Sequence, residues 1–164
     1  DVIQDAINDA VAWAENYLLR SITPKRYEAF FDSLPTKACF PRLPFAAPLM
    51  ALESIHYLDQ SGVEQVLDSS TYVVLSRMSP AAFDLKIGQT WPASSVGPES
   101  VRVVYTAGYA DTATFPSDIM RALKQIMAEF FENREDSTMM NQRPVSFSSK
   151  NLLQPHRLYH RNAT

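Results

Sequence analysis

The stretch that decides the fold is VRVVYTAGY (101–109), followed by ADTATFP (110–116) and SDIMRALKQIMAEFFENRE (117–135). In the first part, Val101, Val103 and Tyr105 recur at the two-residue period of a β-strand. Gly108 ends this run. After Pro116 the apolar residues recur at steps of three and four, which is the spacing of an amphipathic helix. The stretch therefore predicts a strand, a loop and one long core helix.

The N-terminal segment 1–20 predicts a second long helix. Its apolar residues follow one helical stripe, namely Ile3, Ile7, Ala10, Val11, Ala14 and Leu18. Because Asp1 already lies in helical register, we expect further residues to precede it.

Between these two helices the sequence indicates strands and turns. Alternating residues predict strands in 25–35, 51–59, 63–67, 71–76 and 83–87, and turn residues separate most of them. Three prolines make 41–48 an edge strand or an extended connector. The prediction is an α+β fold in which two long amphipathic helices pack with an antiparallel β-meander of about six strands.

The C-terminal region differs from the rest in charge. Residues after Asp136 include no acidic side chain, and they carry four basic ones: Arg143, Lys150, Arg157 and Arg161. Because the whole chain carries −3 and these four residues add +4, the part before them carries −7. We predict a single α+β domain over 1–143 and an extended C-terminal arm with one short helix over 144–164.

Residues able to carry chemistry are few. His56 shares a strand face with Ser54, and its position favours a surface histidine over a catalytic one. His156 and His160 are four residues apart, but no acidic or cysteine partner accompanies them as a metal ligand. Phosphate-binding and dinucleotide-binding motifs are missing from the sequence. We predict no enzyme, no cofactor and no metal site.

Two other functions stay open at this stage. The basic tail would suit a DNA-binding accessory protein, although its interleaved leucines and tyrosine favour a protein partner. A small hydrolase that uses His56 is the less favoured alternative. No apolar run is long enough to cross a bilayer, so we expect no membrane association.

Seven segments follow one another along the chain: LESIHYLD (52–59), GVEQVLD (62–68), YVVLS (72–76), WP (91–92), VRVVYTAGY, the long helix and NLLQPHRLY (151–159). Their order resembles that of the tailed-bacteriophage head–tail connector, or adaptor, proteins. These proteins form the first ring beneath the portal. The hallmarks here are Ala107-Gly108-Tyr109, Pro116 before the helix, Glu132-Asn133-Arg134-Glu135, and a leucine pair before Pro155.

The resemblance implies a structural virion protein in the neck, assembled in the host cytoplasm. Its subunits would form a dodecameric ring that docks on the portal protein, extends the DNA channel and receives the next neck or tail-completion protein. DNA would pass nearby without sequence-specific binding. A body charge of −7 suits a channel wall that does not hold the passing phosphates.

Two groups of site residues follow from this resemblance and from the charge pattern. We expect the C-terminal arm to dock on the portal through Arg143, Lys150, Leu152, Leu153, His156, Arg157, Leu158, Tyr159 and Arg161. We expect the polar face and the end of the long helix to contact a neighbouring subunit through Arg121, Lys124, Glu129, Glu132, Asn133, Arg134 and Glu135.

Overall fold

The computed structural model describes residues 2–35, 41–111, 114–132 and 145–158 of the chain. Its helices are α1 (Val2–Leu18), α2 (Ser117–Glu132) and α3 (Phe147–Leu153), and a 3-10 turn, Gln154–His156, continues the last one. Its strands are β1 (Lys25–Phe31), β2 (Leu49–Leu58), β3 (Glu64–Val66), β4 (Tyr72–Leu75), β5 (Ala82–Leu85) and β6 (Val101–Ala107).

The main sheet has four antiparallel strands in the order β1-β6-β2-β3. Strand β6 lies inside the sheet, where Val103 pairs with Ala29 of β1 on one side and with Ile55 of β2 on the other. One face of β6 is fully buried, since Val101, Val103 and Tyr105 all contribute to the core of the sheet. The strand predicted at the start of the deciding stretch is therefore confirmed.

Strands β4 and β5 form a separate two-stranded sheet. The prediction of one continuous meander is wrong at this point, because β4 pairs with β5 and not with β3. The physical reason is that the inner face of the main sheet needs a second layer to cover it. Tyr72 of β4 and Phe83 of β5 supply part of that layer, and they meet edge to face with ring centroids 6.5 Å apart.

The helices also pack differently from the prediction. Helix α1 has 17 residues, α2 has 16 and α3 has seven, so all three are short. They pack around a second core that is distinct from the core of the sheet, and its buried members are Ala10, Ala14, Leu18, Ile22, Ile119, Ala122, Ile126, Val145 and Leu153. The picture of two long helices packed on a meander is therefore wrong, whereas the α+β class holds.

A short junction, residues 19–24 with 108–109, connects the helical core to the sheet. Glu15 of α1 is buried, and its carboxylate accepts hydrogen bonds from the backbone N–H groups of Ile22 (2.8 Å) and Thr23 (3.2 Å). The same carboxylate pairs with Lys25 at the start of β1. Beyond β6, the N–H of Tyr109 donates to the carbonyl of Ile22 (3.0 Å).

The described part of the C-terminal segment, 145–158, lies against the helices and is not extended. Leu153 of α3 is 0% exposed in the helical core, and the N–H of Leu158 donates to the carbonyl of Leu18 (2.9 Å). The predicted short helix corresponds to α3. The predicted division of the chain at residue 143 falls outside the described residues and stays a prediction.

Candidate assembly surfaces

The outer face of the main sheet, on the side away from its core, carries a network of charged side chains. Arg26 Nε lies 2.9 Å from Glu53 Oε2, and Arg102 Nη2 lies 2.8 Å from Glu64 Oε1. Glu28 joins the two pairs, since its Oε1 is 3.4 Å from Arg26 and 3.8 Å from Arg102. The network therefore reaches across all four strands.

Hydrogen bonds favour the ionised form of two carboxylates in this network, Glu53 and Glu64. The hydrogen bond from Thr106, followed by that from Arg26, lowers the pKa of Glu53. The hydrogen bond from Arg102 similarly lowers the pKa of Glu64. Each pair is exposed to solvent and contributes little stability by itself. The charges nevertheless hold one another in place, and they give the outer face a fixed pattern of positive and negative groups.

Exposed apolar side chains lie on this same face. Phe30 of β1 and Val66 of β3 are both exposed, and they flank the row that contains Arg102 and His56. Protein interfaces combine apolar side chains with a polar rim, so a face that carries both kinds of group can contact another protein. The outer face is therefore a candidate assembly surface.

His56 lies on this face beside Ser54, as the sequence predicts. Ser54 Oγ is 2.9 Å from His56 Nε2, and His56 Nδ1 is 3.7 Å from Glu64 Oε1. The order of groups resembles a serine, histidine and acid relay. A hydrolase also needs donors aimed at a developing oxyanion. Strand β2 pairs with β6 along most of its length and with β3 at His56, Tyr57 and Leu58, so His56 has a paired strand on each side of it. The arrangement does not favour catalysis.

A metal site finds no support in the part of the chain that the structure describes. No group of three His, Cys, Asp or Glu side chains there could hold an ion. His156 is described, whereas His160, its predicted partner, lies outside the described residues. None of the described helices is long and apolar enough to cross a membrane.

The residues predicted to dock on a partner through the C-terminal segment are of three kinds. Leu153 is a core residue, and Leu152 and Leu158 are half-buried against the helices. Lys150 and His156 are half-buried and Arg157 is exposed. The remaining members of the set, Arg143, Tyr159 and Arg161, lie outside the described residues.

Polar contacts also hold this segment to the helices. The N–H of Ser146 donates to Glu129 Oε2 (3.1 Å), and His156 Nε2 is 3.7 Å from Asp118 Oδ2. The guanidinium of Arg157 lies over the ring of Tyr17, 4.9 Å from its centroid. Such a contact contributes about 0.5–1 kcal/mol at an exposed site. The basic side chain thus has a defined position on the surface.

The predicted subunit-contact residues lie on more than one side of α2. Arg121, Lys124 and Glu132 are exposed, whereas Glu129 is half-buried beside α3. The other three, Asn133, Arg134 and Glu135, lie outside the described residues. The structure therefore brings Arg121 and Lys124 together on one open face and separates them from Glu129.

Sequence reasoning did not identify the charged network on the outer face. Its members occupy the polar positions of four strands, so the two-residue alternation around Arg26, Glu53 and Arg102 was the available signal. That signal shows which side chains share a face within one strand. Only the strand order and register show that residues so far apart in the chain are neighbours.

Comparisons with known proteins locate this fold among solved structures. No family model and no curated protein matches the sequence. A chain from the neck of a native GTA particle, computed with C12 symmetry, matches with a TM-score of 0.74 and 19% identity, over 96% of this chain and 82% of that chain. A chain from the neck of an empty GTA particle, computed with C6 symmetry, matches with a TM-score of 0.73 and 19% identity, over 96% and 78%.

A third match comes from the virion of a native gene transfer agent (GTA) particle. Its TM-score is 0.73 at 18% identity, and the match covers 96% of this chain and 77% of that chain. At these identities the likeness establishes a shared fold over nearly the whole chain.

Proposed function

We propose that this chain is a structural virion protein, namely an adaptor subunit that forms a ring on the portal and links the capsid to the neck or tail. The observation that carries the proposal is the fold match over 96% of the chain to a protein from a neck computed with C12 symmetry. The order of sequence segments supports the same assignment independently. The role is structural and not enzymatic.

Ring formation is the first part of the proposal. A closed ring uses heterologous contacts, in which two different patches of each subunit meet on neighbouring copies. The exposed side of α2, which carries Arg121 and Lys124, is one such patch, and the patch that meets it on the neighbouring copy must complement its positive charge. A twelve-membered ring agrees with the C12 symmetry of the matched neck.

Portal docking is the second part. In the conformation described, Leu153 holds α3 to the core, so docking falls to the outward side chains of the same segment, Lys150 and Arg157. Arg143, Tyr159 and Arg161 belong to the same proposed surface. The positive charge of this surface suits an acidic patch on the portal.

The experiment is a binding assay between purified portal rings and the full chain. Deleting 144–164 would remove Leu153 from the helical core, so point variants give a cleaner answer. The double variant Lys150→Glu with Arg157→Glu should weaken portal binding, and Arg77→Glu, an exposed residue after β4, serves as the control. Equal binding by all three proteins would refute docking through this surface. Imaging of the neck in intact particles tests the ring itself.

Extension of the DNA channel is the third part of the proposal. The affinity for DNA distinguishes such a channel subunit from a DNA-binding accessory protein. A channel wall should bind DNA weakly, in keeping with the body charge of −7. A DNA-binding accessory protein would instead bind tightly at low salt, with an affinity that falls by about 0.9 logarithmic units per neutralised phosphate for each tenfold increase in salt. A steep dependence of that kind would favour the accessory protein.

A further inference from the structure

Helices α1 and α2 each present an exposed stripe on the side away from the helical core. On α1 an acidic stripe consists of Asp5, Asp9, Ala12 and Asn16, and on α2 a basic stripe consists of Ser117, Arg121, Lys124 and Ala128. Both stripes have the same spacing of four, three and four residues, so each follows one face of its helix. All eight residues are exposed.

The charges of these stripes have no ionic partner within the described chain. Asp5, Asp9, Arg121 and Lys124 make no salt bridge among residues 2–35, 41–111, 114–132 and 145–158. The arginines of the outer face differ in this respect, since Arg26 and Arg102 are both paired. As far as the described residues go, two acidic and two basic groups thus remain to pair across an interface.

The two stripes lie on opposite sides of the helical layer. Ala10 and Ala14 of α1 meet Ala122 and Ile126 of α2 in one buried core, so the buried faces of the two helices are directed toward each other. The acidic and basic stripes are on the reverse faces and are directed apart. Two complementary patches on opposite sides of a subunit are what a heterologous ring contact requires.

The directions of the helices set the order in which the charges would meet. Leu158, bonded to Leu18 at the end of α1, lies two residues from His156, which contacts Asp118 at the start of α2. The two helices therefore run antiparallel within a subunit. Twelve-fold closure turns each neighbour by only roughly 30°, so α1 of one copy and α2 of the next would still run nearly antiparallel.

We propose that the acidic stripe of α1 in one copy packs against the basic stripe of α2 in the next copy. In the antiparallel register that pairs both acidic groups with both basic groups, Asp9 faces Arg121 and Asp5 faces Lys124. The alanines of the stripes, Ala12 and Ala128, leave room for the helices to approach closely. The contact rests on the ring of the proposed function, and it names the surface that joins its subunits.

Charge reversal in the full chain tests this contact. Two double variants reverse one stripe each: the first combines Asp5→Lys with Asp9→Lys, and the second combines Arg121→Glu with Lys124→Glu. Each should lower the self-association constant about tenfold or more, because each makes the two stripes alike in charge. An equal mixture of the two reversed proteins should recover association in alternating order, since each contact between one variant and the other joins opposite charges. The control Arg77→Glu with Lys86→Glu reverses two basic residues elsewhere and should change little. Sedimentation velocity measures all four.

Cysteine cross-linking gives a second readout that does not depend on how tightly the copies associate. One preparation carries Asp9→Cys and another carries Arg121→Cys, and both carry Cys39→Ser. When the two are mixed and oxidised, a disulfide should form between chains. Asp9→Cys mixed with Arg77→Cys is the control. Cross-linking no greater than in the control overturns the contact.

The outcomes separate this contact from the ring. If the wild-type chain assembles and neither reversal weakens assembly, the ring stands and the contact is overturned. If the wild-type chain does not associate and the cysteine variants do not cross-link, the contact is overturned, and imaging of the neck then decides on the ring. Rescue by the mixture supports both.

Discussion

The guanidinium of Arg102 on β6 reaches over strand β2 to the carboxylate of Glu64 on β3, with 2.8 Å between Nη2 and Oε1. Strand β3 has only three residues and forms one edge of the main sheet. The side-chain pair thus ties a short edge strand to a strand inside the sheet.

This pair predicts a loss of stability in acid. Arg102 lowers the pKa of Glu64 below its ordinary value of 4.5, so the folded protein binds fewer protons than the unfolded chain just below that pH. The contribution of this ion pair to the free energy of unfolding is complete at pH values above the ordinary pKa of Glu64. It is lost as the pH falls through the lowered pKa of Glu64 in the folded protein. Glu64→Gln should be less stable than the wild type near neutral pH, and urea unfolding should show the two converging in acid. A difference that stays constant with pH would contradict this.

Glu15 predicts a large effect from a single buried carboxylate. Glu15→Ala removes the acceptor for the N–H groups of Ile22 and Thr23 and leaves Lys25 without its partner. We expect a loss of about 2–4 kcal/mol in the free energy of unfolding, because buried donors would remain unsatisfied. Asn16→Ala, at the exposed neighbouring position, should change stability by less than about 0.5 kcal/mol. Chemical denaturation measures both, and equal effects would mean that the junction is not held by Glu15.

Replacing Gly108 by alanine should cause a steric clash, and the same replacement at Gly62 serves as the control. Gly108 has φ +127°, and a Cβ there would lie 2.7 Å from the backbone nitrogen of Pro24. Gly62 has φ +77° with no atom within 4 Å of such a Cβ. Both Gly→Ala variants introduce backbone strain, on the order of 1 kcal/mol. Gly108→Ala should cost at least about 2 kcal/mol more in thermal unfolding, since the backbone of the junction must also move. Similar melting temperatures for the two variants would contradict the close approach.

Leu153 predicts that the C-terminal segment contributes to stability. Leu153→Ala opens a cavity in the helical core and should cost about 2–4 kcal/mol. Leu152→Ala, at a half-buried position beside it, should cost roughly 1 kcal/mol. Thermal unfolding followed by circular dichroism measures both losses. If Leu153→Ala unfolded like the wild type, the segment would not be packed on the helices.

The local elements could be predicted from the sequence because their signals are local. The alternation through Tyr105 and the change of period after Pro116 both lie within a few residues. The layering could not be predicted in the same way. Tyr72 and Phe83 alternate like any strand residues, and nothing in their spacing shows that they cover another sheet.

Periodicity also failed to show how far each apolar stripe is covered. Ile3 belongs to the stripe of α1 but is 55% exposed, and Phe131 on α2 is 51% exposed. The apolar pattern of a helix can continue in the sequence for as many turns as its spacing is kept. Its side chains are buried only along the part of the helix that another element covers. The charged outer face was missed for a related reason, because Arg26 and Glu53 become neighbours only through strand order and register.

The two separate cores have a consequence for synthesis on the ribosome. The core of the sheet draws its buried residues from a continuous part of the chain, between Ala29 and Ala107. The helical core joins α1, at the beginning of the chain, to residues as late as Leu153. Helix α1 leaves the exit tunnel before the sheet, yet its partners in α2 and α3 follow the sheet in the chain, so the sheet can fold while translation is still in progress.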